Sequence, residues 1–230
     1  MLGCEMKARP NNAKTLQRRH FLVGAAGAVV GPLAVAQMPS AFRVSPSQTL
    51  GPFYPRNAAE RPSETDADLL RVEGERVLTK GVPIYLTGRI LDRRGQPLPN
   101  TSVEIWQCDA NAVYHHPAGG AEAERDPNFQ GYGVARTDAS GTFHFRTIKP
   151  IAYPGRTPHI HVRVQPGGSS FATQLYLADD PGNRRDFLFS RMSADEQMAL
   201  TLKFEPTTAS ANHALARATQ WIARADLVVA

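Results

Sequence analysis

His159-Ile160-His161 is the stretch of this chain most ready to do chemistry. On a strand, positions i and i+2 share a face, so both imidazoles aim at one point. Neutral imidazole is the commonest metal ligand. The bland alternative is a pair of surface histidines on a solvent-facing strand edge. The neighbourhood argues for the metal: Tyr153 stands between Pro150 and Pro154, Arg156 and Pro158 lead into the first histidine, and Tyr114 follows the segment carrying Trp106 and Gln107. A tyrosine ligand binds as phenolate. Its free pKa is about 10, so only a strongly Lewis-acidic ion ionises it near neutral pH. Fe(III) does this far better than Zn(II) or Fe(II). Two phenolates and two imidazoles offset two of its three charges, which leaves affinity for one more anion, such as hydroxide or an ionised phenolic substrate.

Other chemistries find no support. There is no phosphate-cradling Gly-rich loop and no Gly-x-Ser-x-Gly. Cys108 is near His115 and His116 but has no supporting nucleophile motif, so it reads as a small core cysteine. His144, between Phe143 and Phe145 on an alternating segment, faces away from the core if the two phenylalanines face it.

The elements that must position these residues read mainly as strands. Alternating or β-rich runs cover 84–91, 102–107, 134–137, 142–148, 159–164 and 171–177, with turns such as Asp92-Arg93-Arg94-Gly95 and Asp138-Ala139-Ser140-Gly141 between them. This pattern predicts an antiparallel sandwich or barrel. Ser193-Ala194-Asp195-Glu196 is a capping box, predicting a short helix over 197–204. Residues 209–230 read as an Ala-rich helix ending in a short apolar strand. Residues 37–80, polar and Pro-rich, read as an extended N-terminal arm, with Gly51-Pro52-Phe53-Tyr54-Pro55 as a rigid turn bearing two aromatics.

With 230 residues, 42% of them hydrophobic, the chain is long enough for one well-packed domain. Its formal charge is +5, from 26 Lys+Arg against 21 Asp+Glu. Five of those bases (Lys7, Arg9, Lys14, Arg18, Arg19) and one acid (Glu5) lie in residues 1–36, so the remainder is almost neutral and nucleic acid is not an expected partner. Residues 1–36 read as an export signal. Arg18-Arg19 precedes an apolar run of about sixteen residues ending in Ala34-Val35-Ala36, short of the ~20 that span a bilayer. The Arg pair followed by His20-Phe21-Leu22 resembles a twin-arginine signal, a route suited to proteins folded around a cofactor before export. The expected location is therefore periplasmic or extracellular, without stable membrane insertion once the leader is removed. Cys108 is then the sole cysteine, and no internal disulfide is available.

Five motifs, taken in order, resemble the intradiol ring-cleavage dioxygenases, above all the protocatechuate 3,4-dioxygenase subunits. They are Val103-Glu104-Ile105-Trp106-Gln107 with Tyr114; Asp126-Pro127-Asn128-Phe129; Thr147-Ile148-Lys149-Pro150 with Tyr153-Pro154; Arg156 with His159-Ile160-His161; and Thr173-Gln174-Leu175-Tyr176. Gly51-Pro52-Phe53-Tyr54 resembles a segment that precedes the core in that family, and the likeness covers roughly 47–180. The resemblance implies an all-β fold, an antiparallel β-sandwich with an extended N-terminal arm and a short C-terminal helical segment, so that 81–230 is the catalytic domain. It implies a non-haem Fe(III) held by Tyr114, Tyr153, His159 and His161. Arg156 and Gln174 match the family's active-site arginine and glutamine, and Tyr54 is implied to line the substrate pocket. The implied reaction opens a small aromatic diol between its hydroxyls with O2 to a cis,cis-muconate-type diacid, Tyr153 giving way to the substrate and accepting a proton. A homo-oligomer follows by the same analogy. Two departures stand out: the segment from Tyr153 to His159 is short, and Gly155 replaces the tryptophan that usually neighbours the arginine. If Tyr153 sits differently, Tyr132 and Tyr176 are the substitute ligands. The competing readings are a secreted β-sandwich binding module without catalysis and a cupin-type metal site, though Asp179, Asp180 and His213 do not match cupin spacing.

Overall fold

The computed structural model describes residues 42–72, 79–208 and 213–230. The expected export signal lies outside the described residues. Nine strands dominate: β1 (Pro83–Leu91), β2 (Ser102–Trp106), β3 (Tyr132–Arg136), β4 (Thr142–Ile148), β5 (His159–Gln165), β6 (Phe171–Leu177), β7 (Thr201–Pro206), β8 (Trp221–Arg224) and β9 (Leu227–Val228). Their hydrogen-bonded order is β3-β2-β5-β6-β7-β8-β1-β4, with β9 added beside β1.

The sheet is mixed, which corrects the expectation of a purely antiparallel one. β1 pairs in parallel with β8 and with β9, and β6 pairs in parallel with β7. Turn chemistry explains the difference. The Gln165–Ser170 turn encodes a hairpin between β5 and β6, and these strands are antiparallel. The return of β8 along β1 is made by a long connection that carries no such signal.

Alternation builds the core. On β5 the side chains of Ile160, Val162 and Val164 are fully buried on one face, and they join Val103 and Ile105 of β2, Leu175 of β6, Ile84 and Leu86 of β1 and Phe143 and Phe145 of β4 in one apolar cluster. His144, between those phenylalanines, faces the other way as expected. It is partly buried, its Nδ1 is 2.5 Å from the Tyr85 hydroxyl, and its ring stacks on His213 at 4.1 Å.

Two expectations near the C-terminus need correction. The capping box is present, with Ser193 and Glu196 bonding each other's backbone, but helix α1 runs only over Ala194–Ala199. Beyond it β7 takes over, because Leu200 and Leu202 alternate with exposed Lys203 at strand period and both are buried. Among the described residues of 209–230, a single 3-10 turn at Ala214–Ala216 stands where a longer helix was expected, followed by the two short strands.

The tightest backbone approach is at Gly88 on β1, where a Cβ would stand 1.7 Å from the carbonyl oxygen of Ala225 in the β8–β9 connection. Backbone cannot yield as a side-chain tip can. Gly88→Ala is expected to destabilise the protein at the upper end of the roughly 1–3 kcal/mol that overpacking costs. A urea midpoint equal to that of the unchanged protein would show that the connection simply shifts.

Candidate active site

The face of β5 opposite the core carries His159 and His161, as strand geometry requires. Its neighbours complete the face: Trp106 of β2 and Gln174 of β6 lie directly across from His161, and Tyr176 lies across from His159. Both imidazoles are buried, and their Nε2 atoms stand 3.2 Å apart. His159 Nδ1 is 2.7 Å from the Thr157 carbonyl oxygen, which can only accept, so the proton sits on Nδ1 and the Nε2 lone pair faces the centre. His161 is held by packing. Trp106 stacks flat on it at 4.7 Å, and Gly51 closes the other approach, where a Cβ would meet its Cε1 at 3.3 Å.

Tyr114 arrives on a loop after β2. Its hydroxyl is 3.4 Å from His159 Nε2, and Phe53 stacks on its ring at 4.3 Å. Asp109 shapes that loop. Its buried carboxylate accepts from the amides of Asn111, Val113 and Asp126 and contacts His115 Nε2. Burial alone would raise its pKa, but these bonds outweigh it and hold it below the usual range.

Tyr153 enters from the turn Tyr153-Pro154-Gly155-Arg156, closed by Arg156 N–H on the Tyr153 carbonyl at 2.9 Å. Gly155 has φ +85 with open space around it, the Pro-Gly pattern of a type II turn. A short Tyr153–His159 segment therefore still delivers the phenol, whose ring lies 5.5 Å from that of Tyr114 and 5.6 Å from that of His159. Arg156 is largely buried. Its Nη2 donates to Gln174 Oε1 at 2.6 Å and its Nε to Asp186 Oδ2 at 2.7 Å.

Tyr54 is not brought to the centre. Its hydroxyl donates to Glu104, and Trp106 packs against both it and His161. Phe53 and Gly51 from the same turn are the ones that reach the site. Of the two substitute phenols, Tyr132 is engaged elsewhere, on Glu104, whereas Tyr176 donates to Gln48 and lies 3.4 Å from Gln174 Oε1, at the edge of the centre.

Among the described residues no three His, Cys, Asp or Glu side chains gather into a metal-binding group. A metal here would have to draw on the phenols. The donors fit one: two imidazole Nε2 atoms converge with two phenols, and one imidazole has its tautomer fixed by a carbonyl in the way metal-binding histidines are. Burial pushes the Tyr114 phenol well above its usual value, with the Cys108 and Tyr153 charges adding. Burial also raises Tyr153, against the pull of Arg156. Neither phenol would ionise near neutral pH without a strongly Lewis-acidic partner. Cys108 is no competitor, since burial pushes its thiol up to about 12.

Burial, assisted by the Arg156 charge, pushes His159 down to about 4; burial and then His159 and Arg156 push His161 far down. An unfolded chain takes up these protons near pH 6.5. The metal-free fold refuses them, so its stability is full above pH 6.5 and is lost as pH falls towards 4, by on the order of 3 kcal/mol from His159 alone. Urea titrations of metal-free protein at pH 7 and pH 4.5 should show that loss, and equal stability at the two would refute it.

The dioxygenase family model matches residues 50–220. The chain is 37% identical over 172 residues to the protocatechuate 3,4-dioxygenase beta chain of Burkholderia cepacia, a match covering 71% of this chain and 73% of that one. The chain belongs to the intradiol ring-cleavage dioxygenase family. It is therefore an enzyme of the ring-opening oxidoreductase class. It is also 31% identical to a hydroxyquinol 1,2-dioxygenase of a Rhizobium species, over 63% of this chain, though it spans only about half (52%) of that relative's length. Among solved structures, the dioxygenase domain of a dioxygenase–carbohydrate-binding fusion from Streptomyces sp. SirexAA-E superposes with a TM-score of 0.59 at 28% identity, covering 81% of this chain and 98% of that domain.

In this enzyme the structure brings together Tyr114, Tyr153, His159, His161, Arg156 and Gln174, and leaves Tyr54 apart. Sequence reasoning passed over Asp186, whose side chain is fully buried beside Arg156, and Asp109, which shapes the Tyr114 loop. An isolated aspartate in a polar stretch carries no signal of its partners. The flat contact of Trp106 on His161 was within reach, since both occupy outward positions of neighbouring strands.

Proposed function

We propose that the chain is a non-haem Fe(III) dioxygenase that opens the ring of a catechol-type diol between its two hydroxyls with O2, both oxygen atoms entering a cis,cis-muconate-type diacid. The observation that carries this reading is the convergence of two phenols and two neutral imidazoles beside a buried arginine. Tyr114, Tyr153, His159 and His161 would hold the ion. What the bound ion supplies is Lewis acidity, which keeps the phenols and the diol ionised.

The chain's own residues do the rest. Tyr153 is the less buried of the two phenols and sits on a turn with open space at Gly155, so it can swing aside and accept a diol proton at its Oη. Arg156, a permanent cation, offers guanidinium N–H groups to negative charge developing on the ring or the new carboxylates. Gln174 fixes the guanidinium through its Oε1. Phe53 and Trp106 wall the centre with aromatic surface and limit water.

The organisation that goes with this reading is an export signal over 1–36, an N-terminal arm over 37–80 and a catalytic β-sandwich domain over 81–230. The enzyme would work in the periplasm or outside the cell, as a homo-oligomer. Replacing Arg18-Arg19 by Lys-Lys and fractionating the cells tests the export route. The activity is tested with iron-loaded protein, a panel of catechol, protocatechuate and hydroxyquinol, and an oxygen electrode beside ultraviolet detection of the diacid. Consumption of one O2 per ring opened is expected. Coloured, iron-loaded protein inert to the whole panel would leave the binding-module reading.

A further inference from the structure

We infer that Asp186 is a positioning residue for two parts of the centre at once, the Arg156 guanidinium and the His159 imidazole; the inference rests on the function proposed above. Its side chain is fully buried, and every oxygen is used. Oδ2 accepts from Arg156 Nε at 2.7 Å and from the Thr157 amide at 3.1 Å. Oδ1 accepts from the amides of Leu188 and Phe189, both at 3.0 Å. These last two bonds tie the carboxylate to its own loop, so it cannot follow Arg156 if the guanidinium drifts.

The Thr157 contact reaches further. The peptide that donates its N–H to Asp186 belongs to the residue whose carbonyl takes the Nδ1 proton of His159 at 2.7 Å. The same residue's hydroxyl is fixed on Asn183 at 2.6 Å. Asp186 thus sets the position of Thr157, Thr157 sets the tautomer and direction of His159, and the His159 Nε2 lone pair is aimed at the centre. One carboxylate holds the group proposed to meet the reacting ring and, through the backbone of Thr157, a group proposed to meet the ion. A carboxylate that only stabilised its own loop would need neither the Arg156 nor the Thr157 contact.

Asp186→Asn keeps the shape and can still accept from Leu188 and Phe189, but turns an NH2 group towards two donors. With iron-loaded protein, kcat should fall by about 100-fold, the loss typical of one preorganised donor, with kcat/KM falling in parallel. Iron should pass to a competing chelator roughly 10-fold faster, as when a ligand's supporting hydrogen bond is lost. The two effects separate in an Arg156→Gln background. There Asp186→Asn should cost far less kcat than it does with Arg156 present, while still speeding the loss of iron. An additive loss of kcat in the double variant, or unchanged iron retention in the single one, would overturn the inference. If the Asn variant does not fold, Asp186→Glu serves in the same comparisons: it keeps the charge, but its extra methylene cannot satisfy both donors, so smaller losses of the same two kinds are expected. Wild-type protein that neither holds iron nor opens a ring would reject the proposed function itself. Active wild type with an unaffected Asp186→Asn rejects only the positioning role.

Discussion

Tyr114→Phe should leave a folded protein whose iron-loaded colour is largely lost. The ring keeps its stack on Phe53 at 4.3 Å, and the hydroxyl that is lost touches only neutral groups, His159 Nε2 at 3.4 Å and the Tyr153 phenol, so thermal stability without metal should move little. Iron binding is another matter. Loss of a supporting hydrogen bond to a ligand costs about 10–100-fold in metal affinity, and loss of the ligand oxygen itself should cost more. The visible tyrosinate-to-iron band should weaken sharply and ring opening should stop. The same change at Tyr132 should preserve band and activity, since that hydroxyl rests on Glu104. An undiminished band in Tyr114→Phe protein, read by absorption spectroscopy of iron-titrated samples, would remove Tyr114 from the ligand set.

Glu104→Ala should act in the opposite way, on the fold more than on the metal. Glu104 lies on the same strand face as Trp106. Its Oε2 accepts from the Tyr54 and Tyr132 hydroxyls at 2.8 and 3.0 Å, and its Oε1 accepts from Arg163 and Gln165, both at 3.0 Å. Burial, and after it the Glu104 carboxylate, push both tyrosines above their usual range, so they stay neutral donors. Truncation would strand an arginine whose side chain is 20% exposed, together with two phenols. Breaking a buried pair costs about 3–5 kcal/mol, and the exposure of Arg163 points to the lower end. In a domain of this size about 3 kcal/mol lowers the melting temperature by roughly 6–12 °C. Calorimetry should find that drop with the iron band largely kept, and a drop below about 2 °C would mean the cluster contributes little.

Strand periodicity made much of the centre legible in advance. His159 and His161 had to share a face, and the apolar Ile160, Val162 and Val164 between and beyond them take the opposite one. The loops hid the rest. Tyr114 reaches His159 only because Asp109 bends the chain after β2, and nothing in the spacing of residues 107–119 states that bend. Tyr54 and Phe53 are adjacent aromatics on one turn, and only packing decides that Phe53 faces the phenols while Tyr54 turns to Glu104. The strand β7 was read as the end of a helix because a genuine capping box precedes it. The box encodes a start and says nothing of where the helix stops, which Leu200 and Leu202 decide by entering the core. The parallel closure of β8 on β1 lies beyond local pattern altogether.

That closure has a temporal side. Ile84 pairs with Trp221, and Thr87 with Arg224. A chain emerging from the ribosome therefore cannot complete its sheet until residue 224 has been made, and non-local pairings of this kind slow folding. The strands that carry Trp106, His159, His161 and Gln174 all end by residue 177, so the candidate centre is synthesised well before the strand that closes the sheet.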